Sequence, residues 1–162
     1  MNRYTWLVLG CISFTIVGCT SLVPAPSPFD NFTSPDEFTL YSLRPAMEVR
    51  DGGDPKDENF HGHTVVGKTA VSAEDQKKLA DAFRKGVADH DNSVAGCFLP
   101  HHGMRMKQDD RMVDLVICFK CAQVLVYAPD GKSSSILIST SPRKTFDEVL
   151  TKAGVPLGEK SE

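Results

Sequence analysis

The chain has 162 residues, 24% charged and 41% hydrophobic, with 18 basic against 21 acidic side chains and a formal net charge of −3. That length holds one domain of ordinary size. The mild acidity argues against nucleic acid as a partner and against a polybasic patch for anionic headgroups.

Residues 1–18 read as a signal peptide. Arg3 supplies the positive end, and residues 6–17 form an apolar core of about a dozen residues, short of the roughly 20 a spanning helix needs. The segment ends Ile16-Val17-Gly18-Cys19, followed by Thr20 and Ser21. It resembles the lipobox of bacterial lipoprotein signal peptides: two apolar residues, a small one, then the cysteine. The resemblance implies cleavage before Cys19, with diacylglycerol on its sulfur and an acyl chain on its new amine. The membrane is then the first partner. Each buried methylene contributes about 0.8 kcal/mol, so several chains anchor stably where one holds marginally. Thr20 rather than Asp after the cysteine implies, for lipoproteins of this type, the outer membrane in a cell that has two. Cys11 also follows a glycine, but cleavage there leaves too short an apolar core.

Residues 19–35 read as the lipidated cysteine and a tether. Pro24, Pro26, Pro28 and Pro35 stand among Ser, Ala and Asn, a composition that resists helix and paired strand. Extended at about 3.1 Å per residue, it reaches on the order of 50 Å. A single domain is expected over residues 36–158, with residues 159–162 a polar tail.

Residues 37–44 (EFTLYSLR) alternate and predict a first strand, closed by Pro45. Residues 47–59 are a polar loop rich in turn signals. Residues 62–71 (GHTVVGKTAV) predict a strand, with a bulge or bend at Gly67. Residues 72–89 predict a helix: Ser72 caps it, Asp75 sits at the capping-box position, and Leu79, Ala82, Phe83, Gly86 and Val87 share one face. Residues 94–99 predict a short strand ending at Pro100. Residues 112–127 are apolar on both alternating faces, as a central strand should be. They are too long for one regular strand, so a bulge is expected at CFKC. Residues 128–132 (APDGK) predict a turn and 133–140 (SSSILIST) its hairpin partner. A last helix opens at Ser141-Pro142, buries Phe146, Val149, Leu150 and Ala153, and stops at Gly154. The fold class is α+β, a mostly antiparallel sheet of five or six strands with two helices.

Chemistry concentrates in residues 97–127. Without Cys11, and with Cys19 lipidated, Cys97, Cys118 and Cys121 remain, an odd number for an exported chain. Three readings stay open. Two of the cysteines form a disulfide and the third is a small buried hydrophobe. Alternatively, Cys97, His102, Cys118 and Cys121 form a three-sulfur, one-nitrogen set suited to zinc or copper, provided a bulge or tight turn puts Cys118 and Cys121 on one side. The third reading is thiol redox chemistry, although an exchange-type Cys-x-x-Cys usually opens a helix. His61 and His63, spaced to share a strand face, and His101 are secondary candidate ligands. His90 suits a helix C-terminus. Arg105, Lys107 and Arg111 read as a solvated edge beside Asp109 and Asp110.

FHGHTVVGK at 60–68, AGCFLPHHG at 95–103 and DLVICFKC at 114–121 resemble the patterns FHG-x-x-V-x-GK, CF-x-PRHG and DLVICFEC of an uncharacterised family of bacterial proteins. The resemblance covers roughly residues 60–155 and implies no activity, substrate or cofactor. It picks out Cys97, His102, Cys118 and Cys121, with His101 where the family has Arg and Lys120 where it has Glu. The expected function is a lipid-anchored cell-envelope protein facing the periplasm or exterior, its domain a non-enzymatic structural or binding module. Metal handling comes second and thiol redox third, since no Ser/His/Asp set, phosphate-binding glycine loop or carboxylate pair is visible.

Overall fold

Side-chain alternation along the central strands decides the architecture, as a computed structural model describing residues 28–32, 35–45 and 57–158 makes visible. The signal segment, Cys19 and most of the tether lie outside the described residues. Strands β1 (Glu37–Leu43), β2 (Asn59–Phe60), β3 (His63–Ala70), β4 (His102–Gln108), β5 (Arg111–Cys118), β6 (Gln123–Tyr127) and β7 (Ser133–Leu137) form one antiparallel sheet in the order β2-β3-β1-β4-β5-β6-β7. Helices α1 (Ala73–Ala88) and α2 (Arg143–Lys152) cover one face of it. Among the described residues no helix is long and apolar enough to cross a membrane.

The α+β class holds, with seven strands in place of five or six. Strand β4 is one reason. It buries Met104 and Met106 on the helix side, while Arg105 and Lys107 alternate to the other face. Residues 112–127 are the second reason: a turn after Cys118 divides them into β5 and β6, paired Cys118 to Gln123 and Asp114 to Tyr127. No bulge is needed, because the chain reverses. Residues 94–99 form no strand, and Asp91 through Cys97 are exposed.

Both helices keep the ends their sequences specify. Ser72 Oγ accepts from the Asp75 N–H at 3.2 Å, the N-cap bond, and donates to Asp75 Oδ2 at 2.9 Å, so the carboxylate at the capping-box position returns to the Ser72 hydroxyl. Leu79, Phe83 and Gly86 point inward. A Cβ on Gly86 would stand 2.9 Å from Ile138 Cγ1, so glycine lets α1 lie close over the chain that leads into α2. Helix α2 ends in a Schellman arrangement: Gly154 (φ 72) and Val155 donate to Thr151 O and Leu150 O. Ala153, expected inside, is exposed.

Gly67 sits where the β1–β3 register slips, between the Ser42–Gly67 and Leu43–Val65 pairs. The N-terminal boundary differs from expectation. Residues Pro28–Asn31 make a 3-10 turn, and Phe29 and Phe32 are buried in the main core against Phe38 and Phe83. The folded unit therefore takes in a stretch assigned to the tether.

The face away from the helices is not flat. His61 (φ 49) and Gly62 (φ 85) form a two-residue turn between β2 and β3 with both residues left-handed, the twist that suits a tight hairpin. This hairpin folds back over the sheet. Phe60 stacks on Tyr41 (ring centroids 4.4 Å apart), and His61 stacks on Tyr127 of β6 (3.8 Å). A second, smaller core fills the curl, built on Tyr41, Leu43, Phe60 and Val116. Gly103 of β4 makes room for it: an added Cβ would lie 2.8 Å from two Phe60 ring carbons and 3.3 Å from Tyr41 Cβ. With Phe60 held on both sides, the Gly103→Ala substitution is expected to destabilise the fold by about 1–3 kcal/mol, the range for overpacking. Urea unfolding checks this; a change under about 0.5 kcal/mol would mean the hairpin swings aside freely.

Candidate functional site

The turn between β5 and β6 joins Cys118 and Cys121 in a disulfide, with Cα atoms 5.1 Å apart and both residues almost fully buried. It is a tight turn: Cys121 N–H donates to Cys118 O and Ala122 N–H to Phe119 O, both at 3.1 Å. Ala122 takes a left-handed conformation (φ 56), the position where a glycine would be unstrained. Phe119 is buried on the helix side among His102 and Phe146. A disulfide closing so short a loop constrains the unfolded chain by only about 2 kcal/mol.

The segment before β4 lies along this turn. Ala95 N–H donates to Cys121 O (3.2 Å), and the Leu99 peptide faces the disulfide directly. Its N–H donates to Cys121 Sγ at 3.3 Å, and its carbonyl oxygen lies 3.2 Å from Cys118 Sγ. Cys121 N–H in turn donates to Cys118 Sγ at 3.1 Å. Cys97, between those two anchors, is a free and exposed thiol.

His102 does not join the sulfurs. It pairs with Ile117 across β4–β5 and so shares the helix-covered face, whereas Cys118, one residue on, projects to the other. Its Nε2–H donates to Asp147 Oδ1 on α2 at 2.8 Å, and its ring is enclosed by Phe119 and Phe146. Burial opposes ionisation of Asp147, but the bond from His102 and the charge of Arg143 outweigh it and hold the carboxyl below its ordinary value. His101 contacts Gly158 O through Nδ1 at 3.2 Å, and burial pushes its imidazole below the usual range. Among the described residues no three or more His, Cys, Asp or Glu side chains are grouped to hold a metal ion.

His61 and His63 do not share a strand face, because His61 occupies the turn and His63 begins β3, its ring 6.4 Å from Phe98. His61 instead reaches across the curl to Asp114, where Nε2–H donates to Oδ2 at 2.7 Å. Arg105 grips the same carboxylate twice, through Nε to Oδ1 at 2.8 Å and Nη2 to Oδ2 at 2.6 Å. The Arg105 guanidinium also lies 5.5 Å from the Phe60 ring centroid. Burial would raise the Asp114 pKa; the bonds from Arg105 and His61 overcome it and hold the carboxyl below the usual carboxylate range. The same carboxylate holds the Arg105 guanidinium above its ordinary value.

A cleft of about 360 Å³ opens beside this group, lined by His61, Asp114, Tyr127, Asp110, Met112 and Pro129 among others. The side chains lining that cleft include no Ser, Thr or Cys to serve as nucleophile. Sequence reasoning singled out His61, read Arg105 as a solvated edge and passed over Asp114. The available signal was an aspartate inside the apolar run VDLVICF.

The chain matches no family model, no curated protein and no solved structure. The site therefore rests on its geometry.

Removing the Asp114 carboxylate strands Arg105 beside a buried core. Asp114→Asn is expected to cost about 3 kcal/mol, toward the low end for breaking a buried pair because Arg105 is partly solvated. The pH dependence has a fixed sign. An unfolded Asp titrates near about 3.9, and Asp114 is held lower when folded. Its stabilisation is then complete above the unfolded value and lost as pH falls through the folded one. Urea titrations from pH 6 downward should show a shallower acid limb in Asp114→Asn than in the parent. Parallel limbs, or a cost below about 1 kcal/mol, would show that ring stacking alone closes the curl.

Proposed function

We propose that this protein is a lipid-anchored component of the bacterial cell envelope, facing the periplasm or the exterior, whose domain is a non-enzymatic structural or binding module. The observation that carries the reading is the buried Cys118–Cys121 disulfide. Such bonds persist in oxidising compartments outside the cytosol. That agrees with the lipobox-like run Ile16-Val17-Gly18-Cys19. Where the cell has two membranes, Thr20 after Cys19 favours the outer one. The small cleft beside His61, whose imidazole is held in place by Asp114, suits a binding role. The resemblance to the bacterial family over residues 60–155 adds no activity to this. The zinc or copper set is not favoured: two of its sulfurs are bonded to each other, and His102 sits on the opposite side of the sheet.

Two measurements on the full chain expressed in a bacterial host test the proposal. The Cys19→Ser variant should leave the membrane pellet and lose the acyl mass that the parent carries. Alkylation of the denatured, unreduced protein followed by peptide mapping should label one thiol equivalent among the three domain cysteines, with the other two labelled only after reduction. An unchanged pellet fraction sinks the anchor. Three labelled thiols sink the disulfide.

A further inference from the structure

We propose that Cys97, Cys118 and Cys121 form a thiol–disulfide exchange site in which Cys97 gives outside thiols access to the buried bond. The inference rests on the disulfide of the reading above and adds a reaction to it. Neither Cys118 nor Cys121 is open to solvent, at 0% and 2% exposure, so no dissolved thiol reaches them directly. Cys97 is exposed and lies two residues from each of two anchors on the disulfide turn, Ala95 N–H on Cys121 O and Leu99 N–H on Cys121 Sγ. Two residues of backbone span at most about 7 Å, so residue 97 is tethered on both sides to the disulfide turn. Its segment is built to yield. Asp91 through Cys97 are all exposed and belong to no helix or strand, the features of a region that opens at low cost.

The two disulfide sulfurs are not equivalent, and that sets the direction. The Leu99 N–H points at Cys121 Sγ and stabilises negative charge there. The Leu99 carbonyl oxygen faces Cys118 Sγ and disfavours negative charge on it. Cys121 is accordingly the better leaving group, although the Cys121 N–H on Cys118 Sγ moderates the difference. The Cys97 thiol first gives its proton to solvent. Its thiolate then attacks Cys118 Sγ, the Cys97–Cys118 bond forms, and the Cys118–Cys121 bond breaks with its electron pair on Cys121. One disulfide and one thiolate are present before and after, so the step needs no outside oxidant or reductant. The product disulfide includes the exposed residue 97, where a dissolved dithiol can attack it. Removing so short a cross-link leaves the hairpin held by its ladder and by Phe119 in the core, so the fold tolerates the exchange.

The full chain, its Cys97→Ser variant and its Cys121→Ser variant test this. After incubation near pH 8 without reductant, native alkylation and peptide mapping should find a Cys97–Cys118 linked peptide and label on Cys121 in the parent. Neither should appear in Cys97→Ser. Reduction of the buried bond by dithiothreitol should be at least tenfold faster in the parent than in Cys97→Ser, and Cys121→Ser should accumulate the Cys97–Cys118 bond under air. Label confined to Cys97, equal reduction rates, and no new bond in Cys121→Ser would overturn the exchange. The count of one thiol among the three would stand in that event, leaving the structural disulfide intact. A count of three would remove both.

Discussion

The Asp114 carboxylate is the group on which the second half of the structure depends. A bare carboxylate in an apolar strand is too costly to bury, and it is tolerated only with charged or hydrogen-bonding partners in place. Here they come from separate parts of the chain: Arg105 from the neighbouring strand β4, and His61 from the turn beyond β2 at the far end of the sheet. Satisfying Asp114 therefore requires the β2–β3 hairpin to fold back across β1 and β4. Once it does, Phe60 is laid over Gly103 and beside Tyr41, and the His61 ring lies flat on Tyr127. The small core and the cleft follow from that one electrostatic demand.

Among the described residues two histidine–aspartate pairs act as ties on opposite faces of one sheet. His61–Asp114 closes the sheet on itself, whereas His102–Asp147 fixes α2 to β4. The sulfur turn sits between them in the chain. Phe119 packs toward His102 and the helices, while Cys118 projects to the other face, so the turn contributes to both layers. The Leu99 peptide, with one group toward each sulfur, couples the chain ahead of β4 to that turn.

What could be read in advance was local. The N-cap at Ser72 with Asp75 three residues on, the glycine stop after α2 and the turn at Asp130-Gly131 each act within a few residues, and each is found where its chemistry puts it. The reversal at Cys118 could not be read the same way. Its turn carries no Gly, Pro or Asn, and Ala122 adopts a left-handed backbone held by a covalent cross-link and a buried phenylalanine. Strand β4 was hidden because its methionines alternate with charges, and Arg105 looked like a surface residue beside Asp109 and Asp110. Its true partner is nine residues away on the next strand, and that carboxylate's other partner is 53 residues distant. Pairings of that span are fixed by topology, which a single sequence does not display.

Phe29 and Phe32 carry a consequence for the proposed anchor. Because these rings are fastened beneath α1, the slack between Cys19, the proposed acylation site, and Pro28, where the 3-10 turn begins, is nine peptide units. Even fully stretched, such a lead covers only about 30 Å. An anchor at Cys19, as proposed, would thus hold the domain on a short lead, and what it met first would be whatever lay within one protein diameter of the bilayer.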